Sequence, residues 1–116
     1  VERCQRMPLR APLVVALIAR VVPHPKVPEL EQLLSAGCSA FAFVLGLEAE
    51  GFGGVWRTGE LCYAPWVAEQ LGLSPEERLV GFIYAGTPAP GTRPRAPTIP
   101  PFAERVSHWP AAEKRS

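Results

Sequence analysis

The chain of 116 residues lacks an excess of charge of either sign. Its 12 basic and 11 acidic side chains give a formal net charge of +1, so it offers no strongly basic surface of the kind that binds nucleic acid. Paired cysteines are missing too. The chain has three widely spaced cysteines, Cys4, Cys38 and Cys62, whereas a disulfide framework or a zinc knuckle needs closely spaced pairs. His24 and His108 lie near no cysteine. We expect no structural metal and a reducing, cytoplasmic setting.

Several catalytic and nucleotide-binding motifs are also absent. No Gly-x-Ser-x-Gly elbow or Gly-Lys-Ser/Thr phosphate loop occurs. The glycine-rich stretch GFGGVWRTG, residues 51–59, fails the dinucleotide fingerprint, because Trp56 stands where the third glycine is required and the stretch follows a predicted helix. No catalytic side chain is therefore assigned. A reaction carried by a cofactor, as in flavin enzymes, fits such a sequence.

Alternating apolar segments and breakers predict an α/β or α+β domain. The β-branched run at 12–22 suits a buried strand of a parallel or mixed sheet. A long helix is expected at 28–50, a shorter one at 64–71, a single helical turn at 74–77 and a second buried strand at 78–86. In this interpretation Gly51 ends the long helix, and the glycines after it turn the chain into a strand.

The predicted long helix is apolar nearly all round from Ala36 to Leu47. Its apolar stretch is shorter than the roughly 20 residues of a membrane span, so we expect a helix that is buried on most sides, with Cys38 in a core. A chain of this size can hardly surround such a helix, which predicts a dimer partner. A core helix within a single chain remains the alternative.

The two ends of the chain differ from its middle. Six of the 14 prolines fall within residues 87–101, which predicts an extended segment. Phe102, Val106 and Trp109 then form a patch that can anchor this tail on a surface. At the start, three arginines before the apolar run also resemble a signal peptide, which leaves a small secreted protein as a weaker alternative.

Three segments in order resemble the nitroreductase family, in particular its small single-domain bacterial branch. They are the E-x-x-x-S-A-G-C helix, the G-F-G-G-x-W-R-T-G segment and the V-G-F-x-Y-x-G-T-P strand end, and the likeness covers about residues 10–90. The resemblance implies an α+β fold with a mixed sheet and a central dimer helix at residues 28–50. Residues 1–90 would form a partial domain, the C-terminal two-thirds of the fold, and the proline-rich tail 91–116 would pack on it or on a dimer partner.

By the same resemblance the protein would be an FMN-dependent oxidoreductase and a homodimer. Hydride would pass from NADH or NADPH through flavin N5 to nitroaromatic, quinone or enone acceptors. The segment matching Trp56, Arg57, Thr58 and Gly59 would line the flavin. A weaker nicotinamide contact would be made by Gly46, Leu47, Glu48, Ala49, Glu50 and Gly51.

Two further arginines are candidates on chemical grounds. Arg93 and Arg95 lie in the proline-stiffened tail, and paired guanidiniums suit a phosphate. The alternative is that they are solvated surface charges.

The beginning of the chain departs from the family pattern. Nothing in it matches the Arg-Arg-Ser/Thr-type segment that holds FMN in family members. We therefore expect a sequence that starts just before the family's second strand, either because the chain is truncated or because its start was assigned wrongly. Such a chain would bind FMN weakly or not at all. A remnant without a complete flavin site, acting in dimerisation, is the alternative function. The acceptor and the choice between NADH and NADPH stay open.

Overall fold

The computed structural model describes residues 6–93 and 95–109, in which strands alternate with helices. In chain order the elements are β1 (Leu13–Arg20), α1 (Glu29–Ala49), β2 (Gly53–Arg57), α2 (Glu60–Tyr63), α3 (Pro65–Gln70) and β3 (Glu77–Gly86). Short 3-10 turns lie at Met7–Leu9 and Phe102–Glu104. The fold is α+β, and the three strands form one sheet in the order β1-β3-β2.

Strand β3 is the centre of the sheet. Both of its neighbours run antiparallel to it, so that Tyr84 lies opposite Val14 on one side and Val55 on the other. The described strands therefore contain no parallel pairing, contrary to the expected parallel or mixed sheet. The apolar run predicted as a fully buried strand forms the edge strand β1, in which only Ala19 is buried. An apolar pattern predicts a strand but not how many neighbours it will have.

Helix α1 begins and ends close to its predicted limits. Pro28 is its N-cap instead of its first helical residue. At the other end, Gly51 has φ +82°, a conformation that glycine adopts without strain. The N–H of Gly51 donates to the Glu48 carbonyl at 3.0 Å and the N–H of Phe52 to that of Leu47 at 2.8 Å. These two bonds form a Schellman cap, as the position of the glycine predicted.

One side of α1 packs on the sheet, and the other side is exposed to solvent. The helix contacts all three strands, but Ala40 is its only buried residue. Large apolar side chains point outward from it, namely Leu30, Leu34, Phe41, Phe43 and Leu45. Cys38 is exposed as well, contrary to the expectation of a core position. By length and composition this helix is sufficient to cross a membrane, so the prediction that its apolar stretch is too short was wrong.

The loop between β1 and α1 is held by two side chains. The amide of Gln32 accepts from the Val22 N–H at 3.0 Å and donates to the Val22 and Val27 carbonyls at 2.8 and 3.0 Å. His24 Nδ1 accepts from the N–H groups of Lys26 and Val27 at 3.2 and 3.0 Å. The breaker-rich loop is therefore ordered by specific hydrogen bonds.

The region between β2 and β3 differs from the single helix predicted at 64–71. Helices α2 and α3 are separated at Ala64, because the residue before a proline avoids helical torsions, and Ala64 is extended at φ −77°, ψ 118°. The expected helical turn at 74–77 is a single hydrogen-bonded turn, in which the Glu77 N–H donates to the Ser74 carbonyl at 3.0 Å and the Ser74 N–H to the Glu77 carboxylate at 2.8 Å. Half of the predicted capping box is therefore formed without a helix.

The two faces of the sheet carry different sets of side chains. We call the face that packs on α1 the helix face. It includes Trp56 and its register partner Ile83, which is fully buried. The other face, called the opposite face, carries a core of Val67, Phe82 and Tyr84. Along β2 and from Gly81 to Gly86 of β3, side chains alternate between the faces, so neighbouring residues there belong to different cores.

The tail beyond β3 leaves its apolar side chains in the open. Phe102, Val106 and Trp109 are exposed within this chain, as is most of the described proline-rich segment.

Candidate functional site

An open cleft of about 350 Å³ lies at the end of β2, and part of the glycine-rich segment lines it. Five consecutive residues and three from elsewhere in the chain form its wall: Arg57, Thr58, Gly59, Glu60 and Leu61, with Met7, Arg10 and Tyr84. The cleft thus combines two guanidiniums, two hydroxyls and one carboxylate. Three of the four residues that the sequence predicted around a flavin meet here.

The backbone at Gly59 explains why this segment is open. Gly59 has φ +124° and ψ −172°, a region that is essentially restricted to glycine. No atom lies within 4 Å of the place where its Cβ would be. The Cys62 N–H donates to the Gly59 carbonyl at 2.9 Å, which starts α2. The chain therefore leaves the strand, turns and keeps Thr58 and Gly59 at the cleft surface.

Trp56, the fourth predicted residue, does not line the cleft. Its indole lies on the helix face between Gly37 of α1 and Gly81 of β3. A Cβ built on Gly37 would lie 3.6 Å from Trp56 Cη2, and one built on Gly81 only 2.2 Å from Trp56 Nε1. The side chain joins the helix to the sheet, so Trp56 can border the cleft only through its main chain.

Burial changes the acidity of two groups on the opposite face. It raises the pKa of the Tyr84 phenol, although the charges of Arg10 and Arg57 act in the other direction. Burial also raises the pKa of the half-buried Cys62 thiol. Both groups are therefore protonated at neutral pH, and Cys62 is a poor nucleophile.

Sequence reasoning did not find Arg10 or Tyr84. Arg10 precedes the first strand, and Tyr84 lies within an apolar strand, where an aromatic residue is usually part of the core. The one available signal was the alternation of Phe82 and Tyr84, which puts both on the same face. Without the strand order, nothing in the sequence brings that face next to Arg57.

The other predicted residues lie apart from this cleft. Arg93 and Arg95 are exposed in the tail and do not line it. Four of the six residues proposed for nicotinamide contact line a shallow apolar hollow of about 410 Å³ at the end of α1, together with Phe43 and Phe52: Gly46, Leu47, Ala49 and Glu50. Within residues 6–93 and 95–109, no three His, Cys, Asp or Glu side chains gather as metal ligands would.

Comparison with known proteins gives a consistent result. The model of the Nitroreductase family matches residues 1–87. "Putative NAD(P)H nitroreductase YdjA" of Escherichia coli strain K12 is 41% identical over 88 residues, which make up 76% of this chain and 48% of that protein. "Putative NAD(P)H nitroreductase" of Haemophilus influenzae is 33% identical over 86 residues, 73% of this chain and 47% of the relative. The chain spans about half the length of these curated relatives.

A solved structure supports the fold independently. The nitroreductase-like family protein from Bacillus cereus superposes with a TM-score of 0.76 at 23% identity, over 92% of this chain and 59% of the other. The resemblance stated from the three sequence segments, and the nitroreductase-like α+β fold that it implied, are thereby confirmed.

Proposed function

Because the chain belongs to the nitroreductase family, we propose that it is an FMN-dependent NAD(P)H oxidoreductase. The observation that carries the proposal is the cleft at Arg57, Thr58 and Gly59, because the family resemblance assigns this segment to the flavin. Since the chain spans half of its relatives, the complete activity would require surfaces that this cleft alone does not supply.

The residues present are suited to part of an FMN molecule. A volume of about 350 Å³ falls at the lower end of the range for small-molecule sites, about 300–1,000 Å³. The Thr58 hydroxyl and the main chain around Gly59 offer hydrogen bonds to a ring that carries carbonyl groups. Arg57 offers a positive charge, which stabilises negative charge that develops on a bound group. When bound, the flavin would supply hydride transfer from NADH or NADPH to nitroaromatic, quinone or enone acceptors.

The hollow at the end of α1 is the proposed nicotinamide contact. Its lining is mainly apolar and includes Phe43 and Phe52 together with Gly46 and Leu47. Because Gly46 has no side chain, the helix surface is recessed there, and no atom lies within 4 Å of the place where its Cβ would be. A flat aromatic ring can stack on such a surface.

We further propose that the protein is a homodimer with α1 at its interface. The support is the exposed apolar side of α1, which includes Leu34, Phe41 and Leu45. Large exposed apolar surfaces of this kind are typical of protein interfaces. The tail residues that the chain leaves exposed could pack on the same partner. A cytoplasmic location fits Cys38 and Cys62, which are both free thiols. The proposal includes no nucleic-acid or membrane partner.

A second candidate function follows from the length of the match. A chain that spans about half of its relatives could retain the dimer helix but lack a complete flavin site. Such a chain would act as a dimerisation module.

Two measurements on the purified chain separate these functions. Flavin absorbance after dialysis against FMN, together with oxidation of NADH or NADPH, tests the enzyme. Size-exclusion chromatography with light scattering tests the dimer. Flavin retention with turnover supports the oxidoreductase. A dimer without flavin and without turnover supports the module, and a monomer inactive with FMN contradicts both.

A further inference from the structure

His24 closes a tight turn in the loop between β1 and α1. Its Nδ1 atom accepts from the N–H of Lys26 at 3.2 Å and from the N–H of Val27 at 3.0 Å. An imidazole nitrogen accepts a hydrogen bond only while it carries no proton, so the proton of the neutral ring lies on Nε2. The turn in this form therefore requires a neutral His24 in one defined tautomer.

Protonation of the ring removes the acceptor of both bonds at once. In an imidazolium both nitrogens carry hydrogen and both are donors, so Nδ1 would meet the Lys26 and Val27 N–H groups with a hydrogen of its own. Histidine is the side-chain type that ordinarily changes its charge between about pH 5 and 8. The turn thus depends on a side chain of the type that mild acid protonates.

Charged groups surround His24 in a hollow of about 490 Å³ at the start of α1. The described residues supply two carboxylates and three cations from the segments around this hollow: Glu29, Glu76, Arg78, Arg20 and Lys26. Glu29 lies 3.9 Å from the Arg78 guanidinium. Hydrogen bonds from its own backbone and from Ser74 hold the pKa of Glu76 below its usual range. An imidazolium therefore has a charged carboxylate in the same hollow to turn towards.

The second hold on the loop does not titrate. The Gln32 amide is bonded to the N–H and carbonyl of Val22 and to the carbonyl of Val27, and it carries no charge at any ordinary pH. Loss of the His24 bonds would therefore open residues 24–27 without detaching the loop from α1. Pro28, the next residue, is the N-cap of α1, so the opened stretch ends where the helix begins.

We propose that His24 is a pH-sensitive latch of the loop between β1 and α1. The neutral ring holds the turn closed through Nδ1, and the protonated ring leaves the turn and releases the Lys26 and Val27 N–H groups to water. Release changes the shape of the hollow, because His24 and Val27 both line it. The latch shares no lining residue with the cleft at the end of β2, and it does not depend on the proposed function.

The test follows the turn by NMR in the full-length chain, without flavin or substrate. The pH is lowered from about 8 to about 5, and the signals of the His24 ring and of the Lys26 and Val27 amides are recorded. We expect the Nε2–H tautomer at the higher pH, and amide shifts with the same midpoint as the ring. Amide hydrogen exchange, corrected for its intrinsic pH dependence, should become roughly two- to tenfold faster, as the loss of one hydrogen bond predicts.

Three variants separate the latch from general effects of acid. His24→Asn keeps an acceptor for the following N–H groups but does not titrate, so the Lys26 and Val27 amides should no longer respond to pH. His24→Ala lacks the acceptor and should show the faster exchange already at about pH 8. His108→Asn removes the other histidine of the chain and should titrate as the wild type does.

Two results on the wild type alone would overturn the proposal: an Nδ1–H tautomer at the higher pH, or Lys26 and Val27 amides that do not follow the ring. A response that persists in His24→Asn, or that disappears in His108→Asn, would also overturn it. The amide signal of Ile83, in the centre of the sheet, shows whether each variant is folded. Since the tautomer and the shared midpoint are measured on the wild type, the test does not rest on a variant that folds.

Discussion

The two faces of the three-stranded sheet differ in how closely they are packed. On the helix face, glycines allow α1 and β2 to approach, and Trp56 fills the space between Gly37 and Gly81. On the opposite face, the core of Val67, Phe82 and Tyr84 ends at an open cleft. The helix face is therefore closely packed, whereas the opposite face combines a small core with a cleft that charged side chains line.

This difference separates neighbouring residues of one motif. Trp56 and Arg57 are adjacent in the chain, but strand alternation sends the indole to the helix and the guanidinium to the cleft. Substitutions on the helix face should mainly change the free energy of unfolding. Substitutions around the cleft should mainly change ligand affinity.

The largest effect is expected from Ile83→Ala. Ile83 is fully buried on the helix face, so truncation leaves a cavity and should lower the free energy of unfolding by about 2–5 kcal/mol. Val55→Ala on β2, where the side chain is 48% exposed, is the control and should lose much less. Urea titrations at one fixed protein concentration measure both, and equal losses would contradict the placement of the core.

Gly81→Ala should come next. Its Cβ would lie 2.2 Å from Trp56 Nε1 and 2.9 Å from the Arg57 carbonyl oxygen, so the strands and the indole must shift. Overpacking of this kind costs about 1–3 kcal/mol. The control is Gly37→Ala, whose Cβ meets Trp56 Cη2 at an ordinary 3.6 Å.

Gly37→Ala lies within α1, where alanine is favoured over glycine by up to about 1 kcal/mol. Opposite signs for the two glycine variants in urea unfolding would support the packing. A Gly81→Ala protein as stable as the wild type would refute it.

Thr58→Val tests the opposite face with a smaller expected effect. The change removes the hydroxyl at the cleft but keeps the branched shape. Loss of one hydrogen bond of about 0.5–1.5 kcal/mol predicts FMN affinity lower by roughly two- to tenfold, measured by equilibrium dialysis. Thr92→Val in the tail is the matched control. Unfolding should be unchanged in both variants, and a large loss of stability in Thr58→Val would assign the hydroxyl a structural role.

The smallest effect concerns two thiols. Cys38 is exposed on α1, whereas burial raises the pKa of Cys62. A raised pKa means less thiolate at a given pH, so Cys62 should be alkylated more slowly than Cys38, and its rate should rise only at more alkaline pH. Iodoacetamide labelling followed by mass spectrometry gives the rate at each site. Faster labelling of Cys62 in dilute protein would contradict its burial.

The local structure was more predictable than its assembly. Gly51 and Gly72 mark helix ends in the sequence, and both form the expected glycine caps. The bounds of α1 and β3 followed from these signals and from apolar periodicity. The sheet order and the antiparallel register could not be predicted in this way, because they depend on contacts between residues far apart in the chain.

The candidate site shows the same limit. Arg57, Thr58 and Gly59 were found through a contiguous motif. Arg10, which precedes β1, and Tyr84 of β3 are far apart in the chain, and only the sheet brings them together. Trp56 was included by its place in the motif, although alternation along β2 could have assigned its side chain to the other face.

The loop between β1 and α1 has a consequence for resistance to proteases. It is exposed and contains Lys26, features that ordinarily make a segment an easy target for trypsin. Cleavage there requires the backbone to open, and opening must break the bonds that Gln32 and His24 make to Val22, Lys26 and Val27. Protection from digestion, which is usually attributed to burial, would in this loop arise from two side chains at the surface.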